Sequence, residues 1–459
     1  MSVQREVVSE LRAALNGRVI VPEDKDYERA RTIFYGGIDR RPQAIVRVAD
    51  PGDVAHVISL ARQSGLELAV RGGGHSFAGH SLSDGGIVLD LRELQSIQID
   101  PERRTAWAGG GLTAAAYTQA AGEFGLATGF GDTGSVGIGG LTLGGGVGYL
   151  VRKHGLTIDQ LLAADVVTAD GQLMRADEHE HPDLFWALRG GGGNFGVVTR
   201  FQFRLQEVPS AVGGMLILPA TPPIIAGFIA AAEAAPEELS TIASIMPAPP
   251  MPMVPAEQHG QRVVFAFLVY AGEVDAGERA VAPFRKLAAP IVDMLRPMTY
   301  PEIFAPEEEE YHPTAVARTM LVDRIDLGVA EEIIDRLEAS DAPVRVAQLR
   351  VLGGAVARVP AEATAYAHRA SRIMVNLAAF YESPEEQVER EAWVSDFAAS
   401  LQQGDQGVYV NFLGEASEAQ VRMAYPGSTW DRLAAVKRRY DPTNLFRVNH
   451  NIPPAGSKA

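Results

Sequence analysis

The residues of this chain that could do chemistry begin with a glycine turn that carries a histidine. Residues 70–80 read VRGGGHSFAGH, so three consecutive glycines separate an apolar run from His75 and Ser76. Glycine runs give up packing and backbone entropy, and they are typical of places where the main chain turns sharply or touches a ligand. Successive backbone N–H groups in such a turn can bind an anion such as a pyrophosphate. These residues alone leave two interpretations open, a ligand-binding turn or a tight surface turn.

Two further glycine-rich segments follow. Residues 129–148 read GFGDTGSVGIGGLTLGGGVG, in which ten of twenty residues are glycine. Apolar residues punctuate this segment, which favours a loop that cradles a flat or extended ligand over a flexible linker. Residues 190–196, GGGGNFG, contain the G-x-G-x-x-G pattern of dinucleotide-binding proteins. Here a predicted helix precedes the pattern and a strand follows it, which is the reverse of the Rossmann order and argues against a nicotinamide site.

Composition limits the class of protein. A chain of 459 residues with 46% hydrophobic and 21% charged residues predicts a globular protein of two or three domains. The net charge of −16 argues against nucleic acid or an anionic membrane as a partner. The chain has no cysteine, which removes disulfides, thiolate catalysis and iron–sulfur clusters. The scattered histidines predict no metal site, and the acidic run 307–310 is expected to be solvated surface.

The N-terminal residues predict an amphipathic helix with charges throughout, which is unlike a signal peptide. No apolar run approaches the length of about 18 residues that a membrane span needs. We therefore expect a cytoplasmic protein.

The elements that must position the glycine segments differ in their predicted secondary structure along the chain. From residue 44 to about 209, short strand patterns alternate with helical ones, and a helix is predicted to begin at Pro51 and to end at Gly65. From about 211 to 406, proline-rich loops separate strand candidates, which is typical of an antiparallel sheet with helices beside it. Residues 408–413 are predicted to form a strand, and a helix follows that Pro442 ends.

Four motifs in this order resemble a known family. They are RGGGHS, the GIGGLTLGGGVG loop about sixty residues later, DLFWALRGGGGNFGVVT and the tail YDPTNLFRVNHNI. Together they resemble the FAD-linked oxidases of the vanillyl-alcohol-oxidase type, and within these the berberine-bridge-enzyme-like branch. The resemblance covers residues 40–210 and 405–455.

The resemblance implies an α+β fold. An FAD-binding domain of two α/β subdomains (PCMH type) is expected to adjoin a substrate domain with an antiparallel sheet flanked by helices. On this sequence, residues 1–210 are the expected first part of the FAD-binding domain, and residues 211–406 are the substrate domain. Residues 407–459 are expected to return to the FAD-binding domain.

The resemblance also implies that FAD is attached covalently, from the His75 imidazole to the 8α-methyl carbon of the isoalloxazine. The cofactor carries the redox chemistry and the protein tunes it. Some family members attach the flavin a second time through a cysteine. Thr133 stands at that place here, so His75 is expected to be the only anchor. The expected cofactor contacts are Arg71, Gly72, Gly73, Gly74, His75, Ser76, Gly79, His80, Thr133, Gly137, Gly139, Gly140, Gly145, Gly146, Gly148, Gly196, Val198, Asn449 and Asn451.

The motif VYVNF at residues 408–412 matches a Tyr-x-Asn strand of the family whose tyrosine commonly serves as the catalytic base; here it is Tyr409. On a strand, Tyr409 and Asn411 would point the same way. A free tyrosine has a pKa near 10, so we expect a cation, Arg318 or Arg350, or an oriented network to lower it. The alternative is a tyrosine that only packs between domains.

Substrate contacts are expected mainly from the middle domain. On the strand VRVAQLRVL, the side chains of Val346, Gln348 and Arg350 share one face, which predicts either a pocket lining or a solvated surface. The candidate substrate residues are Tyr149, Gln348, Arg350 and Asn411, with Tyr311, His312, Tyr366 and His368 as weaker ones.

The function that this resemblance implies is an FAD-dependent oxidase. It would transfer a hydride from a hydroxylated or amine-bearing small molecule, such as a secondary metabolite, an alkaloid or a sugar, to the flavin. Dioxygen would then reoxidise the flavin and give hydrogen peroxide. Two alternatives stay open, a flavin-dependent oxygenase and a non-catalytic flavoprotein that binds a small ligand. A monomer or a homodimer is expected.

Overall fold

The computed structural model describes residues 2–304 and 311–457, so the acidic run 307–310 lies outside the described residues. Among the helices of those two ranges, none combines the length and the apolar character that a membrane crossing requires. The described residues form three main β-sheets with helices beside them, and the site lies where these three parts meet.

Within residues 2–207, the structure has seven α-helices and eleven strands. The helices are α1 (Ser2–Ala14), α2 (Tyr27–Arg31), α3 (Pro51–Ser64), α4 (Ala114–Gly122), α5 (Ile138–Gly144), α6 (Val151–His154) and α7 (Pro182–Leu188). The strands are β1 (Arg18–Ile20), β2 (Ala44–Arg47), β3 (Leu68–Arg71), β4 (Ile87–Asp90), β5 (Ile97–Asp100), β6 (Thr105–Gly109), β7 (Leu126–Ala127), β8 (Leu161–Val167), β9 (Leu173–Asp177), β10 (Val197–Arg204) and β11 (Gln206–Glu207).

These strands form two main sheets. The first has the order β1-β2-β4-β3, in which β2, β4 and β3 are parallel and β1 is antiparallel. The second is antiparallel with the order β5-β6-β10-β8-β9, and β7 pairs with β11 beside it. Helix α3 has the predicted ends, because the Asp50 carboxylate accepts hydrogen bonds from two amides of the first turn and Gly65 adopts a left-handed conformation with φ of 69°.

The middle segment forms one large antiparallel sheet with helices on one side. Its strands are β12 (Ala211–Pro219), β13 (Leu239–Pro247), β14 (Arg262–Ala271), β15 (Val292–Asp293), β16 (Arg296–Met298), β17 (Ala315–Val322), β18 (Arg345–Val351) and β19 (Ile373–Phe380). Its helices are α8 (Pro222–Ala234), α9 (Val274–Arg285), α10 (Leu327–Glu338), α11 (Ala355–Arg358) and α12 (Pro384–Leu401). The strand order is β15-β12-β14-β13-β18-β19-β17, with β16 beside β12.

The two faces of this sheet have different neighbours. Leu349 of β18 and Val375 of β19 belong to a core that also contains side chains of α8, α10 and α12. Because strand side chains alternate, Gln348 and Asn376 lie on the opposite face. That face is turned toward the glycine segments of the N-terminal sheets, and it supplies part of the site.

The C-terminal segment adds α13 (Glu418–Ala424) and α14 (Ser428–Tyr440). The strand predicted over residues 408–413 is wrong. The chain forms a 3₁₀ turn at Val410–Phe412 instead, in which the Phe412 amide donates to the Tyr409 carbonyl at 3.0 Å. β-branched and aromatic residues favour a strand. A strand also needs a neighbouring edge to pair with, and the structure pairs this segment with none in the described ranges.

The second glycine segment is also more regular than predicted. It was expected to be a loop throughout, yet Ile138–Gly144 is helical. The helix is stabilised by burial rather than by propensity, because Ile138 and Leu143 pack into the core of the second N-terminal sheet. Glycine is a poor helix former, so tertiary contacts override local preference here.

A buried lysine ties α14 to the third glycine segment. The Lys437 ammonium, fully buried, donates to the Asp441 carboxylate at 2.7 Å and to the carbonyls of Asn194 and Phe446 at 2.8 Å each. Asp441 also accepts from the Leu445 and Phe446 amides. All donors of the ammonium are therefore satisfied, and the tail after α14 is fixed against residues 190–196.

We expect Lys437→Met to destabilise the fold strongly, because it leaves the Asp441 carboxylate buried without its cation. The free energy of unfolding should fall by about 3–5 kcal/mol. Urea unfolding followed by tryptophan fluorescence measures this. The exposed neighbour Arg438→Met is the matched control, and adding Asp441→Asn to Lys437→Met should recover part of the loss. A single-variant loss below about 1 kcal/mol would contradict the role assigned to this pair.

Candidate active site

A cavity of about 450 Å³ lies between the N-terminal sheets, the large middle sheet and the C-terminal tail. All three glycine segments line it. The first two meet backbone to backbone: a Cβ on Gly73 would lie 2.2 Å from the Gly137 amide nitrogen, and one on Gly137 would lie equally close to the Gly73 nitrogen. Only glycine permits this approach, so the two segments form a single wall of the cavity.

His75 lies on that wall. Its imidazole stacks on the Phe34 ring, with centroids 4.2 Å apart and an interplanar angle of 23°. Ser135, from the second glycine segment, places its Oγ 2.9 Å from the His75 Nε2. The candidate anchor is therefore inside the cavity and in contact with two neighbours from separate segments.

Tyr409 also lines the cavity, with 2% of its surface exposed. Its phenol oxygen accepts a hydrogen bond from the Gly146 amide at 2.8 Å and another from Asn411 Nδ2 at 3.0 Å. The same Nδ2 donates to the Leu141 carbonyl at 3.0 Å, which fixes the orientation of the amide. Tyr409 and Asn411 do meet as predicted, but through the 3₁₀ turn and not along a strand.

The expectation that the Tyr409 pKa is lowered is not met. Burial raises the pKa of Tyr409 above its ordinary value of 10. The two hydrogen bonds from Gly146 and Asn411 and the charge of Arg350 oppose this rise and do not cancel it. The phenol is consequently neutral at pH 7 in this environment.

Arg350, and not Arg318, is the cation of the cavity. Arg350 Nη2 lies 2.6 Å from the Asp132 carboxylate, and the guanidinium donates to Gln348 Oε1. It also lies over the Phe412 ring, 5.0 Å from the centroid. Arg318 is on the other face of the sheet, because Val316 and Met320 on the same strand belong to the core beneath the helices. Gln348 and Arg350 both line the cavity, so this face of β18 is not a solvated surface.

Several lining groups fit a large polar ligand. Arg350 Nη1, Asn376 Oδ1 and Asn449 Oδ1 are buried and have no hydrogen-bond partner among the described residues. A Cβ on Gly140 or Gly193 would meet no protein atom within 4 Å. Unsatisfied buried polar atoms are rare in native proteins, and here they coincide with open glycine walls. These residues fit a cofactor that brings its own donors and acceptors, such as FAD.

Most of the predicted site residues line this cavity. They are Gly72, Gly73, Gly74, His75, Ser76, His80, Thr133, Gly137, Gly139, Gly140, Gly196, Val198, Gln348, Arg350, Tyr409, Asn411 and Asn449. The structure places the others elsewhere. They are Arg71, Gly79, Gly145, Gly146, Gly148, Tyr149 and Asn451.

Arg71 is the clearest correction. Its guanidinium is fully buried on the far side of the turn, where it contacts the Asp90 carboxylate at 2.6 Å and the Ala30 carbonyl at 2.7 Å. It anchors β3 and does not line the cavity. Gly79 closes the turn behind His75, since its amide donates to the Ser76 carbonyl and its φ is 68°.

The other predicted residues that do not line the cavity pack behind it or lie outside it. Gly145 and Gly146 pack against Tyr409, and Gly148 packs against the Gly131 backbone. Tyr149 belongs to a separate apolar cluster with other aromatic side chains, where burial raises its pKa well above 10. Asn451 lies in the tail after α14, next to the buried Ile452, and does not line the cavity.

The sequence reasoning missed several lining residues, among them Phe34, Tyr35, Asp132, Asn376 and His450. Phe34 and Tyr35 lie outside the stretch that carries the resemblance. Asn376 is opposite Gln348 only because β18 and β19 pair in that register, which the sequence does not display. Asp132 carried a usable signal, as the only carboxylate inside the second glycine segment.

His450 forms an edge-to-face contact with His80, with ring centroids 4.7 Å apart. Burial lowers the pKa of His80 to about 3 and that of His450 to about 4. Both rings are therefore neutral at pH 7 and join the N-terminal turn to the C-terminal tail. No group of three or more metal-ligating side chains occurs in residues 2–304 and 311–457.

Comparison with known proteins agrees with this architecture. Residues 42–177 match a family model described as an FAD binding domain, and residues 408–453 match one described as berberine and berberine like. Both matched regions contribute walls to the cavity.

Relatives of known activity are similar over almost the whole chain. (R)-6-hydroxynicotine oxidase of Paenarthrobacter nicotinovorans is 34% identical over 97% of this chain and 98% of its own. A solved structure of 6-hydroxy-D-nicotine oxidase from Arthrobacter nicotinovorans superposes with a TM-score of 0.83 at 30% identity, over 95% of this chain and 98% of that one. The four motifs of this chain also resemble this bacterial oxidase.

A third match shares the fold alone. The glucooligosaccharide oxidase of Acremonium strictum, a structure with a 6-S-cysteinyl, 8α-N1-histidyl FAD, has a TM-score of 0.85 at 23% identity, over 98% of this chain and 100% of that one. The motifs, the cavity and the full-length similarity lead to one conclusion: the chain is an FAD-linked oxidoreductase and belongs to the berberine-bridge-enzyme-like family of FAD-dependent oxidases.

Proposed function

We propose that this protein is an oxidase that removes a hydride from a C–OH or C–N centre of a small molecule. In this proposal FAD is tethered through His75 alone, and Tyr409 is the base that takes the substrate proton. The observation that carries the proposal is the environment of the Tyr409 oxygen, which lies in the same cavity as His75 and accepts hydrogen bonds from two protein donors.

The Tyr409 oxygen is arranged to accept a proton. The Gly146 amide and the Asn411 amide nitrogen both donate to it. Neither can receive the phenolic proton, so that proton is directed away from them. The same two donors and the positive charge of Arg350 stabilise the oxygen when it is ionised. A short-lived phenolate beside a substrate hydroxyl or amine is the arrangement that general base catalysis needs.

The glycine wall and the tail would hold the cofactor. Gly140 and Gly193 leave open space, Asn449 offers an unsatisfied amide oxygen, and His75 offers the imidazole for the tether. When bound, FAD supplies a hydride acceptor and passes the electrons to dioxygen, which yields hydrogen peroxide. The absence of cysteine from the chain supports a single attachment.

The substrate would contact the polar part of the large sheet. Ser244, Gln348, Asn376 and Thr319 occupy one row across four neighbouring strands, in register. The row continues into Phe265 on β14, so polar and apolar surface adjoin. A substrate with both a polar group and an apolar ring or chain fits this surface. Hydroxylated alkaloid-type amines and oligosaccharides, on which two of the similar proteins act, are the first compounds to test.

The proposal is tested by anaerobic reduction of the flavin. We expect a member of a panel of 6-hydroxynicotine enantiomers, other secondary amines, alcohols and gluco-oligosaccharides to bleach the flavin absorbance, and air to restore it with one hydrogen peroxide per turnover. Incorporation of oxygen-18 from dioxygen into the product would favour an oxygenase instead. Bleaching by no compound in a broad panel would contradict the proposal.

The tether is tested separately. We expect in-gel flavin fluorescence to persist after denaturation of the wild type and to be absent from His75→Ala, because His75 supplies the nitrogen of the bond. His56→Ala, at a half-exposed histidine of α3, is the matched control and should stay fluorescent. Fluorescence that persisted in His75→Ala would show that the flavin is attached to another residue.

For the base, we expect Tyr409→Phe to lower kcat/KM by about 10²-fold or more while the flavin stays bound, since general base catalysis contributes this much. Because burial raises the Tyr409 pKa, the phenol is still protonated at pH 7 and its ionised fraction grows as the pH rises. Wild-type kcat/KM should therefore rise from pH 7 toward pH 10. Tyr27→Phe, at a buried phenol that donates to the Pro42 carbonyl, is the control. A pH profile of Tyr409→Phe as steep as the wild-type profile would rule out Tyr409 as the base.

Arg350 should determine the pH at which kcat/KM rises. Its charge lowers the pKa of Tyr409, so we expect Arg350→Met to move the alkaline rise of kcat/KM to higher pH. Arg318→Met, on the opposite face of the same sheet, should leave the profile in place. A change in KM with an unmoved profile would mean that Arg350 binds substrate without tuning the base.

A further inference from the structure

The side chain of His75 is held by two neighbours to which the proposed reaction gives no role. Phe34 covers one face of the imidazole in a near-parallel stack at 4.2 Å, and Ser135 Oγ lies 2.9 Å from Nε2. A histidine side chain on a turn has several staggered rotamers. A face contact and an edge contact together select one orientation of the ring.

Both neighbours are themselves fixed by backbone contacts with the turn that carries His75. The Phe34 amide donates to the Gly74 carbonyl at 3.2 Å, so Phe34 is joined to the residue directly before the histidine. Ser135 lies two residues before Gly137, and His75 lies two residues after Gly73. The close approach of Gly73 and Gly137 therefore sets the distance between the serine hydroxyl and the imidazole.

We propose that Phe34 and Ser135 are positioning residues for the covalent attachment of the flavin. They hold the imidazole so that its ring nitrogen faces the methyl carbon to which it becomes bonded. Proximity and orientation of this kind can account for a large part of a reaction rate, because the entropy of alignment is lost before the reaction. The inference rests on the proposed tether through His75.

The attachment is a two-electron oxidation of the methyl carbon. A bond forms between a nitrogen of the His75 imidazole and the 8α carbon, while the imidazole loses its N–H proton and the methyl group loses one C–H proton. Two electrons leave the methyl carbon for the isoalloxazine and then reduce dioxygen, which takes up the two protons as hydrogen peroxide. Ser135, at hydrogen-bond distance from Nε2, is placed to steady the imidazole as it loses its proton.

The test measures attachment and not turnover. Apoprotein produced under riboflavin limitation is mixed with FAD in air, and flavin in the acid-precipitated protein is followed over time. We expect Phe34→Leu and Ser135→Ala to slow covalent incorporation by about tenfold or more, while bound FAD and the thermal midpoint change little. Phe34→Tyr, which keeps the ring, and Ser135→Thr, which keeps the hydroxyl, should restore the rate.

Phe124→Leu, at an aromatic ring that is 51% exposed, and Ser64→Ala, in α3, are the matched controls and should incorporate flavin at the wild-type rate. If the wild type becomes covalently loaded and Phe34→Leu and Ser135→Ala load equally fast, the inference is wrong and the tether stands. If the wild type retains FAD without any covalent fraction, the proposed tether itself is wrong. Slow loading that the conservative variants do not restore would also overturn the positioning role.

Discussion

Gly73 and Gly137 approach so closely that neither tolerates a Cβ, and the rest of the site depends on that contact. It joins the turn after β3 to the segment that leads into α5, and these come from different sheets. His75 and Ser135 face each other because each is two residues from the contact. The same contact gives the cavity a wall of backbone, which is the kind of surface that can approach an extended anionic cofactor without steric hindrance.

The part of the cavity lined by Tyr409 and the C-terminal tail is built by long-range polar contacts and not by local chain geometry. Tyr409 is oriented by the Gly146 amide, 263 residues earlier in the chain. The tail beyond α14 is held by Lys437, whose ammonium is buried among the Asp441 carboxylate and two carbonyls. Burial makes each of these contacts costly to break, so the C-terminal segment is as much a part of the cofactor site as the first glycine turn.

Much of the fold and many of the site residues could be predicted from the sequence. The helix over Pro51–Ser64 has its predicted start and end, because Pro51, the Asp50 cap and Gly65 act through local backbone chemistry. The glycine turn with His75 lines the cavity as expected, since glycine-rich turns are local too. The failures are of another kind. Residues 408–413 have the residue types of a strand but no partner edge in the described ranges, and Arg71 belongs to the right motif but contacts the buried Asp90.

The sequence by itself determined the cofactor class and the candidate anchor through the resemblance of its four motifs to the family, and its lack of cysteine excludes a second, cysteine-based attachment. Only the tertiary structure decided that Arg350 and not Arg318 faces the cavity, that Phe34 stacks on His75, and that the pKa of Tyr409 is raised. The reason is physical: strand register, burial and the meeting of distant segments set these properties, and none of them is encoded within a short stretch of chain.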